Sequence, residues 1–365
     1  MLKYLDETEA RQYLRNFFRE KPLIFFGTGL SCALDSRFGM PALKDALLSD
    51  MNENELSDVQ KQEWGNVKKN LQVKNDLENA LNEVNSHELL RKIVDCTGRF
   101  ISKLDKEHSY RIAMKESIWP GTLLIKKMVE TLSEQDGILH VLTPNYDMLF
   151  EYACESANIL YTNGFVGCLH KRIDWVSAAR SLQYKDSIAH GKNSIRQIDK
   201  NKKHVRLYKV HGSLNYFYHD DELIENNSWM WEPPVFAQRV IITPGISKFE
   251  ILQKYRQELL ARADNAISEA SSFLFLGYGF NDNHLEEYIK RKLITHASHG
   301  LIITRSINEK TIQLLHEAKN LWVICADNEN SDNSKIYNSQ YTDWLILPGL
   351  KIWDVHEFYS NILGG

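Results

Sequence analysis

His211-Gly212-Ser213 stands directly behind the strand-like run Val205-Arg206-Leu207-Tyr208-Lys209-Val210. A histidine at the carboxyl end of a strand is placed as a general base would be. Two glycine- or asparagine-bearing turns precede it. Leu23-Ile24-Phe25-Phe26 runs into Gly27-Thr28-Gly29-Leu30-Ser31, and Ile138-Leu139-His140-Val141-Leu142 runs into Thr143-Pro144-Asn145-Tyr146-Asp147. A fourth run, Phe273-Leu274-Phe275-Leu276, leads into Gly277-Tyr278-Gly279-Phe280-Asn281-Asp282. Glycine accepts positive φ and lets a backbone approach a ligand closely. Amides behind a strand, with a helix beginning nearby, attract phosphate. Ligands of open α/β sheets bind at the carboxyl ends of parallel strands, so the four turns predict one crevice. The chemistry expected there is that of a nucleotide site containing a histidine.

Each turn also has a plainer reading. Gly27 and Gly29 lack the full G-x-G-x-x-G spacing of the dinucleotide fingerprint, and a short glycine turn is usually just a tight turn. Asn145 is either a turn residue or the holder of a water or amide group. Asp147 is either the N-cap of a helix starting near Met148 or a carboxylate that orients that group and balances positive charge. His211 is either structural or a base. Gly277 and Gly279 suit a phosphate or ribose contact, while Asp282 has an N-cap as its alternative.

Helical and strand patterns alternate along the chain, so the expected class is α/β with a Rossmann-like parallel sheet and an inserted helical subdomain. Strands are expected near Leu23, Ile138, Leu207, Ile241, Phe273 and Ile302, with a further one over Leu321-Trp322-Val323-Ile324. A first helix is expected over residues 8–19, with Leu14, Phe17 and Phe18 on one face. Between 42 and 134 the apolar spacing is helical, as in Leu77, Ala80, Leu81 and Val84, or Leu89, Leu90, Ile93 and Val94. The expected organisation is a nucleotide-binding domain of residues 1–41 and 136–325, a helical subdomain of 42–135, and a C-terminal segment of 326–365 that forms a sheet edge or an oligomer contact. Residues 161–204 read as a loop-rich insertion, and Lys200, Lys202 and Lys203 as a solvated loop in preference to a DNA patch. Residues 327–339, rich in Asn, Asp and Ser, read as an exposed loop.

Composition narrows the classes. The chain has 365 residues, 43% hydrophobic and 25% charged, ample for a core. Its net charge of -4 gives no pull towards nucleic acid or an anionic membrane. Five cysteines, Cys32, Cys96, Cys154, Cys168 and Cys325, form no C-x-x-C pair. They read as reduced thiols in a cytoplasmic protein and supply no zinc framework, so no metal is expected. Asp6 and Glu7 stand where a signal peptide needs an apolar core, and no apolar run is long enough to span a bilayer.

Taken in order, Gly27-Thr28-Gly29-Leu30-Ser31, Gly39-Met40-Pro41, Thr143-Pro144-Asn145-Tyr146-Asp147 and His211-Gly212-Ser213 resemble the sirtuin (silent-information-regulator) superfamily. The likeness is strongest to the bacterial sirtuin-like branch that consumes NAD during anti-phage defence. Pro244-Gly245, Lys248 and Gly277-Tyr278-Gly279-Phe280 resemble that branch's later motifs, and the resemblance covers residues 22–304. It implies a sirtuin-like fold, NAD as substrate, Asn145 and His211 as the catalytic pair, and Gly27, Thr28, Gly29, Ser31 and Asp147 in contact with NAD. Gly212, Ser213, Gly277, Gly279 and Asp282 complete the expected binding set.

Three departures bear on the reaction. Deacylating sirtuins carry Asp-Phe-Arg after their Gly-Ile-Pro, where this chain has Ala42-Leu43-Lys44 after Pro41. Pro144 replaces the glutamine before the asparagine, and the four-cysteine zinc module has no counterpart. Each weakens an acyl-lysine groove and leaves the parts that bind and cleave NAD. The resemblance therefore implies an NAD hydrolase, with a deacylase or ADP-ribosyltransferase, and a non-catalytic NAD or ADP-ribose module, as the alternatives. Similar compact proteins are paired with HerA-type hexameric ATPases, which makes such an ATPase the expected partner. A homo-oligomer is expected through the apolar tail of 344–362 or the aromatic loop Trp229-Met230-Trp231-Glu232-Pro233-Pro234, which reads equally as a lid.

Overall fold

Apolar runs without polar alternation form strands buried on both faces, and such strands need helices above and below the sheet. The computed structural model describes residues 3–74, 77–134, 137–190, 194–243, 250–280, 283–328 and 331–364. Helix α1 (Glu7–Phe17) starts at Asp6, whose carboxylate accepts the Glu9 amide, and buries Ala10, Leu14 and Phe17. The wholly buried strand β1 (Leu23–Phe26) follows, then a helical stretch: α2 (Thr28–Leu34), α3 (Met40–Asp50), α4 (Asp58–Lys74), α5 (Leu77–Leu81), α6 (His87–Ala113) and α7 (Thr122–Glu130). The sheet resumes with β2 (Ile138–Thr143), α8 (Leu149–Ser156) and β3 (Tyr161–Thr162). Next come β4 (Phe165–Gly167), β5 (Lys171–Ile173), α9 (Trp175–Ser181), β6 (Gln183–His190), β7 (Ser194–Asn201), β8 (His204–Lys209), β9 (Gly212–His219), β10 (Glu222–Glu225) and β11 (Gln238–Ile241). The last part is α10 (Glu250–Glu269), β12 (Ser272–Leu276), α11 (Asn283–Ile294), β13 (His299–Ile303), α12 (Glu309–Glu317), β14 (Leu321–Ala326), β15 (Ser334–Asn338), β16 (Leu345–Leu347) and α13 (Val355–Phe358).

Among the described residues the main sheet runs in the order β16-β15-β14-β13-β12-β1-β2-β8-β3. Neighbours from β14 across to β3 are parallel, and β15 and β16 add antiparallel. The α/β class is therefore as expected. From central β1 the chain goes to β2 and β8 on one side and later to β12, β13 and β14 on the other. The order reverses beside β1, the place where open α/β sheets leave a crevice. A second, antiparallel sheet has the order β11-β9-β10-β5-β4, and β6 with β7 forms a separate hairpin. The long helix α6 packs on α3 and α8 and reaches β11. Gly98 allows that approach, since a Cβ there would lie 2.8 Å from Arg239 Nε.

Three expectations change. The strand expected near Ile241 pairs with β9 in the antiparallel sheet and stays outside the parallel one. Arg239 explains this: it is buried, and its guanidinium donates to the carbonyls of Leu214 and Met230, an anchor available only beside β9. The loop expected at 327–339 contains β15, whose period-2 burial was hidden by polar residues. Ser334 and Asn338 are buried there because their side chains donate to backbone carbonyls of Leu350, Lys319 and Leu321. The insertion at 161–204 holds short strands and a hairpin in place of open loop. The tail pairs β16 with β15 and buries Ile352, Val355, Phe358 and Ile362 in the chain's own core, which accounts for most of its apolar surface.

Candidate active site

Strand register fixes where the four turns lie. Phe26 pairs with Leu276, so Gly27 and Gly277 each come one residue past adjacent strands. Thr143 pairs with Lys209, so Asn145 and His211 each come two residues past the next adjacent pair. With Phe25 opposite Leu142, all four turns occupy the carboxyl ends of the consecutive strands β12, β1, β2 and β8.

The glycines earn their place by packing turn on turn. The Gly27 amide donates to Leu276 O and the Gly29 amide to Gly277 O, both at 3.1 Å. A Cβ on Gly29 would lie 2.6 Å from Gly277 O, and one on Gly277, whose φ is +53°, would lie 2.8 Å from the Leu30 nitrogen. The Gly27 and Gly29 amides are thus engaged by the neighbouring strand end and turn. Thr28 and Gly29 remain exposed at the strand ends. The Gly277–Gly279 turn sends Tyr278 and Phe280 into the core, and the exposed Gly279 accepts from Asn308 Nδ2 through its carbonyl. Asp282 lies outside the described residues, as do Pro244, Gly245 and Lys248.

Behind the mouth runs a buried polar chain. Asn145 Nδ2 donates to Ser31 Oγ at 3.1 Å, and Ser31 Oγ donates to Asp147 Oδ2 at 2.8 Å. The N-cap of α8 is Met148, and Asp147 Oδ1, one residue earlier, accepts the Leu149 amide at 3.3 Å. Asn145 is 2% exposed, and its Oδ1 is buried without a hydrogen-bond partner. A buried carbonyl left this way is costly unless something else donates to it. His211 is half-buried, and its main-chain carbonyl accepts the Ile242 amide at 2.8 Å. Gly212 is obligatory, with φ +81° and a Cβ position only 2.0 Å from Val240 O. The buried Ser213 turns its hydroxyl to Met148 Sδ and Tyr146 O, at 3.3 and 3.5 Å. Gly212 and Ser213 thus set the histidine in place from behind.

Sequence reasoning missed the groups beneath this chain. Lys209, 2% exposed, donates to Asp147 O at 2.6 Å and to Glu151 Oε1 at 2.9 Å. Its signal was a lysine in an otherwise apolar strand end. Asp105, from α6, accepts the Met148 amide at 2.7 Å and the Tyr152 hydroxyl at 2.6 Å. Burial pushes the Asp105 carboxyl up to about 7, with Asp147 adding repulsion, while the Tyr152 and Met148 hydrogen bonds and Lys209 oppose it. Burial likewise raises Asp147 and Glu151, against the pull of Lys209. Elsewhere, Asp35, Glu107 and His108 bring ligand atoms within 4.8 Å of one another, but the Arg37 guanidinium binds both carboxylates.

A raised carboxyl favours the folded state most when protonated. For Asp105 that stability is present below the ordinary value of 3.8 and is lost as pH rises through about 7. The melting temperature is therefore expected to decline between pH 4 and pH 8, and Asp105→Asn should flatten the decline. Thermal melts of both proteins across that range check it; parallel curves would contradict it.

The family model described as a SIR2-like domain matches residues 139–324, half of the chain. The chain belongs to the SIR2-like family. SIR2-like proteins are generally NAD-dependent enzymes. The matched span includes Asn145, Asp147 and His211, whereas the Gly27–Ser31 turn lies before it. A solved structure described as "Structural Basis for the Mechanism and Regulation of Sir2 Enzymes" is similar over 82% of this chain and 86% of its own, at 11% identity and a TM-score of 0.37. No curated protein matches this SIR2-like chain. Among its described residues, no helix is long and apolar enough to cross a membrane.

Proposed function

We propose that this chain is an NAD glycohydrolase that releases nicotinamide and ADP-ribose. The observation that carries the reading is the unpartnered Asn145 Oδ1, buried at the same strand ends as His211. Nicotinamide is a cationic substituent on ribose and leaves neutral, so positive charge develops on the sugar. Groups that fit this transition state better than bound NAD accelerate the step. Asn145 Oδ1 accepts a hydrogen bond from the attacking water and holds it at the ribose carbon. The water oxygen bonds that carbon, the carbon–nitrogen bond breaks with its electron pair going to nicotinamide, and His211 takes the water's proton. The Asp147 carboxylate stabilises the developing positive charge from behind. Thr28 and Gly29, exposed at the mouth, are the groups this reading offers to NAD, while the orphaned Asn145 carbonyl is kept for the water.

The wider setting is part of the proposal: NAD depletion in bacterial anti-phage defence, in the cytoplasm, held in check until triggered. The supporting argument is the motif resemblance, with a HerA-type ATPase as the partner. For self-association, the aromatic loop is a better candidate than the tail. Trp231 stands against α6, beside Tyr110 and Lys106, while Val235 and Phe236 are exposed.

Product analysis separates hydrolysis from transfer. The purified chain is incubated with NAD, with and without an acetyl-lysine peptide, and nicotinamide, ADP-ribose and acyl-ADP-ribose are quantified. Equal amounts of nicotinamide and ADP-ribose, independent of peptide, are expected. Release only with peptide would establish the deacylase reading instead.

A further inference from the structure

Four hydrogen bonds to its backbone help to hold the turn that carries Asn145. The Asn145 amide donates to Thr143 Oγ1 at 3.0 Å, Tyr146 O accepts the Leu214 amide at 3.0 Å, Asp147 O accepts Lys209, and the Met148 amide donates to Asp105. Three of these ties come from β2, β8 and β9. The fourth comes from the helical stretch, from Asp105 on α6, while Ser31 of α2 ties the turn from the same stretch through the Asn145 and Asp147 side chains. The second Asp105 oxygen receives the Tyr152 hydroxyl from α8 and lies 3.5 Å from the Trp231 indole nitrogen.

Asp105 is fully buried, and the groups that donate to it are an amide, a phenol and an indole. The nearest charges work against one another: Asp147 repels its ionised form, while Lys209 and Arg239 attract it without bonding it. Burying a carboxylate without an ion-pair partner is costly, and structural packing alone does not require it. Buried acids of this kind cluster at functional sites, and here both oxygens are spent on the groups that lead into and build α8.

We infer that Asp105 is a positioning residue for Asn145, fixing the catalytic turn through the Met148 amide and Tyr152 hydroxyl and so tying it to the helical stretch. This rests on the NAD-cleavage reading of Asn145. Substrate binding uses other groups, so loss of Asp105 acts on kcat and leaves KM nearly alone. Asparagine can keep both contacts, with Oδ1 accepting from Met148 and Nδ2 donating to the Tyr152 oxygen. Alanine keeps neither.

The test pairs NAD kinetics with amide hydrogen exchange of the peptide spanning 144–152. For Asp105→Ala, kcat is expected to fall about 30-fold or more with KM within about threefold, and the Met148 region to exchange faster by a similar factor. Asp105→Asn should recover most of the rate and the protection. Tyr152→Phe removes one donor and should fold even where alanine does not, with kcat down a few-fold at unchanged KM. An Asp105→Ala protein with native kcat and native exchange overturns the inference, as does Asp105→Asn matching alanine in both readouts. A wild-type chain that releases no nicotinamide removes the NAD reading alone, and the exchange data still decide whether Asp105 holds the turn.

Discussion

Alanine at Asn145 or at His211 is expected to lower NAD cleavage by about 100-fold or more, the usual range for losing a positioned acid–base or polar transition-state group. Both proteins should still fold. Asn145→Ala removes one bond to Ser31, which keeps its bond to Asp147, a loss of about 1 kcal/mol. The main-chain bond from Ile242 to His211 survives substitution of the side chain. Nicotinamide release and a thermal melt, run on the same samples, decide the matter. Unchanged turnover in both variants would remove the catalytic assignment, and unfolding of His211→Ala together with lost activity would make that histidine structural.

Lys209→Met carries the largest expected effect on stability. Lys209 and Glu151 are 1% and 3% exposed at their side chains, and Glu151 Oε2 is buried without a partner of its own. Methionine strands that carboxylate, at about 3–5 kcal/mol, because breaking a buried pair from one side leaves its charge uncompensated. The double variant Lys209→Met/Glu151→Leu should regain most of that stability, since apolar replacement of both partners is often neutral. It should not regain activity, because the ammonium also holds Asp147 O. Urea titration beside NAD turnover checks both halves. Recovery of activity in the double variant would show that Lys209 serves the ion pair alone.

What could be read from the sequence was local. Four strand-to-turn junctions announced themselves through apolar runs ending in glycine or asparagine, and register places them at neighbouring strand ends. The grounds for the glycines were not legible, because the atoms that exclude a Cβ at Gly29 belong to Gly277, far along the chain. β15 escaped for a related reason: Ser334 and Asn338 look solvent-loving until distant carbonyls accept their hydrogen bonds. Lys209 stood out only as a charge in an apolar strand end, and Asp105 not at all. Their roles depend on partners contributed by α8 and its leading turn, and in neither case does a local pattern foretell those partners.

The central claim, that the four strand ends form one NAD site, is tested most directly by a crystal structure of the Asn145→Ala protein with NAD bound. The account predicts the nicotinamide ribose between position 145 and His211, with the diphosphate towards Thr28 and Gly29. NAD located elsewhere on the molecule, or no bound NAD at saturating concentration, would contradict it.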